Sequence, residues 1–523
     1  MLARCSHRAL YPIHAPKRAL SALYNETRRC RFTTSALDPP ARNIVNRLSE
    51  SQPCFSVSSS KLKILHEPSQ FYQCLLDMIR RAKRRVFLSS LYIGSEEKEL
   101  LEALQTAMVK NPSLQVRLHL DLNRSTRPGP DSTASSLVPL LQAHPDRIRV
   151  SLFRSPKLKG LMAKLVPPRF NEGWGTWHPK IYCADDDVLI SGANLNESYF
   201  SNRQDRYILL SSQPSIAQYC LAFLQTVATF SYRLLPPENS SQRYRLAWPD
   251  RETHPHHIEE KAHRAVANFQ NVYRLSSTFR TSTSPAASSQ NGSTHDTLIF
   301  PIIQAGQFNI QEEERVLSLL FDELSAADHG RTSGLNLYSG PLVDLTTGYF
   351  GLYRPYRDLV LRSQLACRIV ASSPKANGFY GSSGISGRLP EGYTLLEQRF
   401  MKSVRKAGRE WPTDPANPHN VSGVQLREWE KDGWTYHAKG IWVRPTPTST
   451  PYMTLFGSTN LNSRSANLDT ELSFLLVTSS DSLRQRLADE VEGLRSQTAS
   501  WRGGHRQVSL GTRALVAIMG GML

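Results

Sequence analysis

The sequence predicts an α/β protein made of two similar halves that share one cleft. Two observations lead to this prediction. The order strand, helix, strand that is typical of an α/β layer occurs both before and after a Ser/Thr-rich segment. A short histidine–lysine motif also occurs twice, once on each side of that segment. A repeated order of elements that carries a repeated motif indicates an internal duplication.

The first half is predicted over residues 53–275. Residues 84–94, RRVFLSSLYIG, are typical of a buried strand that ends in a turn. Residues 95–111 have helical apolar spacing, acids in the first turn and Ser95 as the expected N-cap. Residues 114–127 alternate as a strand and end in a polar loop. This order favours parallel pairing of the two strands.

A segment rich in serine and threonine, residues 276–296, is predicted to link the halves. The second half is predicted over residues 297–505. It begins with an amphipathic helix at residues 311–324, and strands are expected at residues 334–340 and 365–374. The Tyr-Ser-Gly turn at the end of the first of these strands loosely repeats the Tyr-Ile-Gly turn of the first half.

The net charge narrows the class of partner. The 523-residue chain carries a formal charge of +18, which favours nucleic acid, anionic lipid or a phosphorylated substrate. Residues 1–37 hold seven basic residues against one acid and are predicted to be a mitochondrial transit peptide; the alternative is a disordered basic tail. No apolar run approaches the roughly 20 residues of a spanning helix, so a soluble or peripheral protein is expected.

The repeated motif is His-x-Lys. His178 and Lys180 form the first copy, and His437 and Lys439 form the second. On a strand, residues two apart share a face, so each histidine is expected to point the same way as its lysine. Imidazole is a good phosphorus nucleophile, and lysine supplies charge for phosphate oxygens. Two such faces together predict phosphoryl transfer in which one histidine attacks and the other protonates the leaving group.

An acid follows only the first motif. Asp185 lies five residues after its lysine and is expected in the catalytic set, because an acid bonded to an imidazole fixes its tautomer. Arg444 stands at the corresponding place in the second motif. Glu471 could take over, the second histidine could work without an acid, or the second half could only bind. Asp205 and Glu471, which lie 27 and 34 residues after their histidines, are candidates to orient a histidine of their own or of the opposite half.

A turn with an asparagine follows each motif. Asn194 and Asn460 are predicted to donate their side-chain amides to the same phosphoryl oxygens. Counted from the preceding glycine, Asn194 comes one position earlier than Asn460, so their correspondence is less direct.

The two motifs resemble the H-x-K-x4-D pattern of the phospholipase D superfamily. Longer stretches resemble its members that use CDP-diacylglycerol: residues 90–94, 149–173, 190–207 and 436–443. The resemblance implies two α/β/α halves, each with a central mixed sheet, that share one active-site cleft. It also implies transfer of a phosphatidyl group from CDP-diacylglycerol to glycerol 3-phosphate, with release of CMP, in the synthesis of anionic phospholipids.

The same resemblance implies residue roles and a location. The phosphatidyl group would be held on His178 or His437, and the other histidine would serve as acid and then base. Lys180 and Lys439 would hold the phosphoryl oxygens, with no cofactor or metal and no nucleic acid partner. The implied location is the mitochondrion, peripherally on the anionic surface of the inner membrane.

Three arginines are predicted to bind substrate. Arg124 and Arg127 follow a predicted strand, where loops carry binding residues, and Arg203 lies in the NRQDRY stretch. The alternative for the first two is simple solvation at the surface. Residues 155–170 mix basic and apolar side chains, as expected of a segment on an anionic membrane or of an amphipathic helix packed on the core. The HPHH run at residues 254–257 is predicted to be an exposed loop rather than a metal site.

Two other classes of function stay open on the sequence alone. One is another enzyme of the same superfamily, such as a nuclease, a phospholipase, or a phosphatidylserine or cardiolipin synthase. The other is a scaffold or lipid-binding protein without activity, which the arginine at position 444 would explain. Turnover of CDP-diacylglycerol separates these classes.

Overall fold

The computed structural model describes residues 37–129, 131–276, 295–329, 340–412 and 421–521. Three predictions fall wholly or mostly outside these ranges: the transit peptide at 1–37, the linker at 276–296 and the strand at 334–340.

The first half is built on a nine-stranded mixed sheet. In spatial order its strands are β11 (Arg245–Ala247), β10 (Tyr232–Leu235), β5 (Ile148–Phe153), β4 (Gln115–Asp121), β3 (Arg85–Ser89), β6 (Ile181–Ala184), β7 (Asp187–Ser191), β9 (Tyr207–Leu210) and β2 (Leu62–Leu65). The strands β3, β4 and β5 are parallel, and the other pairs are antiparallel.

The second half is built on a ten-stranded mixed sheet. Its spatial order is β1 (Phe55–Val57), β12 (Thr297–Ala305), β20 (Glu471–Thr478), β19 (Met453–Gly457), β18 (Gly440–Arg444), β14 (Leu342–Thr347), β15 (Ala366–Ser372), β16 (Val424–Trp429) and β21 (Thr498–Ser500), with β13 (Ile310–Gln311) beside β12. Here β14, β15 and β16 are the parallel strands.

Seven strands of each sheet follow the same order. The series β5, β4, β3, β6, β7, β9, β2 in the first sheet corresponds to β16, β15, β14, β18, β19, β20, β12 in the second. In both series the first three strands are parallel and the remainder antiparallel. The predicted fold class, two similar α/β halves, is therefore confirmed. The unit that matches β3 is β14, and the register of the two sheets matches Ser89 with Thr346, so the Tyr-Ile-Gly turn at 92–94 corresponds to the Tyr-Phe-Gly stretch at 349–351 and not to the Tyr-Ser-Gly turn that the sequence suggested.

Helices lie on both faces of the two sheets. They span Pro39–Ser51, Pro68–Arg81, Lys98–Lys110, Leu122–Ser125, Thr133–Ser136, Val138–Ala143, Met162–Leu165, Glu197–Ser201, Pro214–Ala228, Glu259–Ser276, Glu312–His329, Arg354–Arg362, Leu389–Lys406, Ser463–Asn467, Asp481–Ser496 and Leu510–Met519. Among the described residues, no helix has both the length and the apolar content needed to cross a bilayer.

One apolar core joins the two halves. Phe153 and Trp177 of the first half belong to the same buried cluster as Phe456 and Phe474 of the second. Two further clusters lie under the outer helices, one for each sheet. Because apolar side chains of both sheets are removed from water together, the halves stabilise each other and hold the cleft between them.

The first described residues of the chain belong to the second half. The helix Pro39–Ser51 packs in the apolar cluster of the second sheet, and β1 pairs with β12 of that sheet. The sequence placed residues 53–57 in the first half, and the structure differs because their partner strand is distant along the chain: Ser56 pairs with Leu298, which lies 242 positions later. The predicted N-cap at Ser95 is also wrong. The helix begins at Lys98 after Glu97, whose buried carboxylate accepts a hydrogen bond from the Glu197 backbone and so fixes the helix start.

Residues 155–170 do not form the long amphipathic helix that was one of the two expectations. Only Met162–Leu165 is α-helical, and a 3-10 segment, Pro168–Trp174, follows it. The prolines at 167 and 168 prevent the helix from continuing. Ser155 and Leu158 are buried at the start of the segment, but Leu161 and Leu165 are 69% and 64% exposed, so the helical turn itself does not pack on the core.

Candidate active site

The two motifs meet in one cleft of about 420 Å³ between the halves. His178 and His437 both line it. Each histidine lies three residues before a strand, β6 or β18, so the motifs precede the strands on which the sequence placed them. The cleft therefore lies where two equivalent strands of the duplicated fold begin.

Each motif is hydrogen-bonded to the other half of the molecule. The His178 backbone N–H donates to the Thr470 carbonyl over 2.9 Å, and the Thr470 N–H donates back to the Thr176 carbonyl. In the same way the short strand β17 (Thr435–Tyr436) pairs with β8 (Arg203–Gln204), and the His437 N–H donates to Gln204 over 2.8 Å. Each histidine is thus fixed by a segment of the opposite half.

The same segments carry the acids that contact the imidazoles. His178 Nδ1 lies 2.8 Å from Glu471 Oε2, and His437 Nδ1 lies 2.6 Å from Asp205 Oδ2. All four side chains are buried. The sequence left open whether each acid serves its own histidine or the other one, and the structure pairs each histidine with the acid of the opposite half.

In both halves the asparagine lies at the same spacing from the acid along the chain. Asn194 and Asn460 each precede their acid by 11 residues, and both line the cleft. The offset of one position, counted from the glycines, arises because Gly192 is equivalent to Ser458 and not to Gly457, so the two asparagines do correspond. The different histidine-to-acid distances arise from the hairpins, because two residues connect β6 to β7 whereas eight connect β18 to β19.

Asp185 does not contact either histidine. It lies at the β6–β7 turn with a φ of 52°, and its carboxylate accepts backbone N–H bonds from residues 83, 84 and 85 at 2.8–3.1 Å. Although partial burial opposes the shift, these bonds lower the pKa of Asp185. The expectation that it orients His178 is wrong, because strand β6 separates them and the carboxylate fastens the hairpin to β3.

Arg444 ends β18 and also has a structural position. Its Nε donates to Asp344 over 3.0 Å, and its NH2 group donates to Glu492 over 2.6 Å. The arginine at this position therefore does not stand in place of a catalytic acid. The position is part of a hairpin in both halves, and each half stabilises that hairpin differently.

The lysines lie beneath the histidines. Lys180 Nζ donates to the His178 carbonyl over 2.6 Å, and Lys439 Nζ lies 2.5 Å from the His437 carbonyl and 2.7 Å from its Nδ1. Both are 1% exposed. Burial holds the pKa of Lys180 well below its ordinary value and lowers that of Lys439 to about 8, although Asp205 opposes the second shift. A Cβ at Gly192 would lie 2.9 Å from Lys439 Nζ, so the chain needs glycine there.

Burial also shifts the titration of the histidine–acid pairs. It lowers the pKa of His178, with Glu471 opposing, and together with Lys439 it holds that of His437 well below the ordinary value. Burial alone would raise the pKa of Glu471, but His178 and Lys180 lower it to about 2. Burial raises the pKa of Asp205 to about 6 against the charge of Lys439. Both imidazoles are therefore neutral near pH 7, as a nucleophile must be.

Two tyrosines that the sequence did not indicate flank His437. The rings of Tyr199 and Tyr349 meet the imidazole edge-on, with centroids 5.1 and 5.5 Å away. The Tyr199 hydroxyl lies 3.4 Å from His437 Nε2. Tyr199 follows the asparagine turn in ANLNESYF, and Tyr349 lies two residues after the end of β14. The only signal in the sequence was therefore their position shortly after a motif or a strand.

The arginines that were predicted to bind substrate all line the cleft, together with Arg464, which was not predicted. Arg464 forms an ion pair with Asp469, and Arg124 forms one with Glu172. Arg203 lies over the Tyr199 ring at 4.5 Å and donates from Nε to the Thr435 hydroxyl. It forms no ion pair with any carboxylate of the described ranges, so its charge is available to a ligand.

Another part of the cleft is apolar. Phe170, Ile385, Leu389 and Met519 contribute to its lining. The residues at 254–257 lie apart from it, in a surface 3-10 turn, Pro255–His257. Within the part of the chain that the structure describes, no group of three or more His, Cys, Asp or Glu side chains could hold a metal ion.

Comparison with known proteins gives close relatives along most of the chain. No family model matches it. A protein of Gallus gallus named CDP-diacylglycerol–glycerol-3-phosphate 3-phosphatidyltransferase, mitochondrial, is 36% identical and aligns with 84% of this chain and 79% of its own length. The Homo sapiens protein of that name is 34% identical over 89% and 84% of the two chains. A Schizosaccharomyces pombe enzyme, also named CDP-diacylglycerol–glycerol-3-phosphate 3-phosphatidyltransferase, is 32% identical over 87% and 93%.

A solved structure supports the fold. The crystal structure of phosphatidylserine synthase from Haemophilus influenzae superimposes with a TM-score of 0.62 over 92% of this chain and 98% of that one, at 18% identity. The two-half architecture described above is thus also the architecture of a distant enzyme.

Proposed function

The chain belongs to the family of CDP-diacylglycerol–glycerol-3-phosphate 3-phosphatidyltransferases, and from this premise we propose how its cleft carries out the reaction. The enzyme transfers the phosphatidyl group of CDP-diacylglycerol to glycerol 3-phosphate and yields phosphatidylglycerophosphate and CMP. The observation that supports the route best is the pair of buried histidine–acid contacts, each made across the halves, in one cleft.

In the first step, His178 Nε2 attacks the phosphorus that bears the diacylglycerol. The bond between that phosphorus and the CMP oxygen breaks, a phosphorus–nitrogen bond forms, and CMP leaves with a proton from His437, which the anionic diphosphate of the bound donor holds in its protonated form. His178 suits the attack because Glu471 holds a proton on Nδ1 and so leaves the lone pair on Nε2. Burial keeps its pKa below the ordinary value and the ring neutral.

In the second step, the 1-hydroxyl of glycerol 3-phosphate replaces the histidine. His437 accepts the hydroxyl proton, the oxygen attacks phosphorus, and the phosphorus–nitrogen bond breaks to restore His178. Lys180 Nζ contacts the His178 carbonyl and Lys439 Nζ contacts the His437 ring, so both charges stand next to the histidines and stabilise the phosphoryl oxygens in both steps. The two asparagines differ: Asn194 Nδ2 already donates to the Tyr199 hydroxyl, whereas the Asn460 side-chain oxygen has no hydrogen-bond partner among the described residues and can accept one from a hydroxyl of the acceptor.

An acceptor assay tests this function. CMP release from CDP-diacylglycerol by the purified chain is measured with glycerol 3-phosphate, with serine and with water alone. We expect rapid release only with glycerol 3-phosphate. Equal rates with serine would make the chain a phosphatidylserine synthase, and equal rates with water would make it a hydrolase.

A chelator provides a second test of the route. The histidines and lysines supply the nucleophile, the proton carrier and the charge, so no step uses a metal ion. We expect EDTA to change kcat less than about twofold when detergent micelles replace anionic vesicles. Loss of activity that a single divalent ion restores would contradict the proposed route.

The family assigns the protein to the mitochondrion, and we propose that it lies peripherally on the anionic surface of the inner membrane. Leu161 and Leu165 project beside Lys164, close in sequence to the cleft residue Phe170. The helix Leu510–Met519 exposes Leu510 and Ile518, each 83%, and ends in the cleft residue Met519. Apolar side chains next to basic ones suit a bilayer with anionic lipids, and the apolar part of the cleft suits the acyl chains.

Vesicle binding tests this surface. Leu165→Glu and Ile518→Glu should each weaken binding to vesicles that contain phosphatidylglycerol or cardiolipin. Leu275→Glu is the matched control, because Leu275 is 62% exposed on the helix Glu259–Ser276 and does not line the cleft. Equal binding by all three variants would remove the assignment.

A further inference from the structure

A second cavity of about 510 Å³ opens off the catalytic cleft. The two cavities share four lining residues: Tyr92, Arg124, Arg127 and Asn196. The rest of the second cavity is lined mainly by small or polar residues, among them Ser132 and Thr133, together with Ile93, Pro128 and one acid, Asp131. We call this cavity the side pocket. Its character differs from the apolar part of the cleft, so it does not suit acyl chains.

Two arginines stand at the junction of the side pocket and the cleft. The Arg124 guanidinium lies 4.2 Å from the centre of the Tyr92 ring, and its NH1 group lies 3.5 Å from Glu172 Oε1. Arg127 donates to the same carboxylate oxygen. One acid therefore serves two guanidiniums, so the group carries a formal charge of +1. The ring and the carboxylate fix both cations before any ligand binds.

Arg127 also has an unused donor. Its Nε is buried and has no hydrogen-bond partner among the described residues. A buried donor without an acceptor is unfavourable, so the arrangement favours a ligand that brings oxygen atoms to this point. A guanidinium presents its N–H groups in a planar fork that matches the oxygens of a phosphate.

We propose that Arg124 and Arg127 bind the phosphate of the acceptor, a phosphomonoester dianion, and thereby select the acceptor. The proposal rests on the proposed function. The reacting diphosphate of the donor must lie between the two histidines, because its phosphorus is attacked there. The acceptor carries its phosphate on the far carbon from the attacking hydroxyl, so it needs a cationic site beside the histidines and not at them.

The assignment has a consequence for acceptor choice. An acceptor without the phosphate leaves the two cations and the buried Nε without their ligand, and it binds weakly for that reason. Glycerol therefore serves as a poor acceptor for the native enzyme. Removing the guanidinium at position 127 removes the advantage of glycerol 3-phosphate over glycerol.

The experiment compares the full chain with Arg127→Gln, Arg127→Lys and the control Arg264→Gln. Arg264 is 72% exposed on the helix Glu259–Ser276 and lines neither cavity. Two reactions are measured: transfer to glycerol 3-phosphate or glycerol, and the exchange of labelled CMP into CDP-diacylglycerol without acceptor. The exchange reports the first step alone.

We expect Arg127→Gln to raise the KM for glycerol 3-phosphate by roughly 10- to 100-fold, as the loss of a charge-assisted contact does, and to leave the exchange rate within about twofold. Arg127→Lys should give an intermediate KM, because it keeps the charge and loses the fork. The ratio of kcat/KM for glycerol 3-phosphate to that for glycerol should fall in both. A fraction of misfolded protein cancels in this ratio.

Three results would contradict these assignments, and each contradicts a different part of them. An unchanged acceptor ratio in Arg127→Gln overturns the phosphate site. Exchange that falls in step with transfer places the nucleotide at the arginines and also overturns it. Absence of exchange in the native chain removes the histidine-bound intermediate of the proposed function, and the acceptor ratio still decides whether the phosphate site stands.

Discussion

The two histidine sites have one plan and different surroundings. His178 meets Glu471, whose carboxylate also accepts a hydrogen bond from the Ser458 hydroxyl. His437 has two partners at Nδ1, Asp205 at 2.6 Å and Lys439 at 2.7 Å, and two tyrosine rings beside it. When Nδ1 carries a proton it can donate to Asp205, but it then has no lone pair with which to accept a hydrogen bond from Lys439. The duplicated fold therefore supplies two unequal imidazoles.

This inequality matches the two jobs of a phosphatidyl transfer. Glu471 stays ionised because its pKa is lowered to about 2, so it holds the tautomer of His178 that the proposed attack requires. Around His437, the pKa of Asp205 is raised to about 6 and that of Lys439 is lowered to about 8, and both values are close to neutrality. A proton can move among these groups at little cost, which suits an acid that must become a base.

The largest effect should come from the histidines themselves. We expect His178→Ala and His437→Ala each to lower kcat by roughly 10³-fold or more, because each removes a member of the same step. The double variant should be hardly slower than either one, since members of one catalytic unit are not additive. Steady-state transfer to glycerol 3-phosphate measures all three.

Mass spectrometry separates the two roles. With CDP-diacylglycerol and no acceptor, the native chain should carry an acid-labile phosphatidyl adduct on His178, and His178→Ala should carry none. An adduct on His437 would reverse the two roles. Near-native turnover by His437→Ala would make the second half a binding lobe and contradict the two-histidine route.

The acids should follow, with Glu471 ahead of Asp205. In Glu471→Gln an amide that donates to Nδ1 favours the tautomer with its proton on Nε2, so the nucleophile is lost and kcat should fall roughly 10²- to 10⁴-fold. Asp205→Asn should lower it about 10²-fold, because Lys439 already lies at Nδ1 of His437. Equal losses in the two variants would remove the distinction between the sites.

The dependence of kcat/KM on pH should report the titration of Lys439. Its charge is present below a pKa of about 8 and is lost as the pH rises through that value, so kcat/KM for CDP-diacylglycerol should fall above about pH 8. Because Asp205 raises the pKa of Lys439, Asp205→Asn should move this limb to lower pH. Asp185→Asn is the control and should leave the limb in place. A limb that starts only near pH 10 would contradict the buried position of the lysine.

The smallest effects on turnover should come from the hairpin residues. Asp185→Asn weakens three backbone hydrogen bonds and should cost about 1–2 kcal/mol of stability. Arg444→Ala breaks a buried ion pair with Asp344 and should cost about 3 kcal/mol or more. Thermal unfolding measures both, and kcat at a temperature where both are folded should change less than about threefold. A collapse of kcat in Asp185→Asn without a lower Tm would restore a catalytic role for this acid.

Much of the site could be predicted from the sequence because its groups recur in short patterns. In each motif the histidine and the lysine stand two residues apart, and this spacing was enough to predict that they lie together, although each pair precedes the strand on which the sequence placed it. The asparagine turns and the arginines after predicted strands were also within reach. The repeated order of elements gave the fold class, since hydrophobic periodicity is a local property of the chain.

Other features depended on residues far apart in the chain. The sequence contained Glu471 and Asp205, but only the packing of two halves shows that each acid serves the opposite histidine across 293 and 232 positions. Asp185 matched a catalytic pattern by spacing, yet its carboxylate meets the backbone at the start of β3. Tyr349 joined the site because β14 is the structural equivalent of β3.

The sequence by itself determined which chemical groups are present and which strands lie next to them, because side-chain type and periodicity are properties of the chain itself. Tertiary structure decided which imidazole faces which acid and how strongly burial shifts each titration. It also decided that the two sites are unequal. These properties arise from contacts and desolvation between segments that only the shared apolar core brings together.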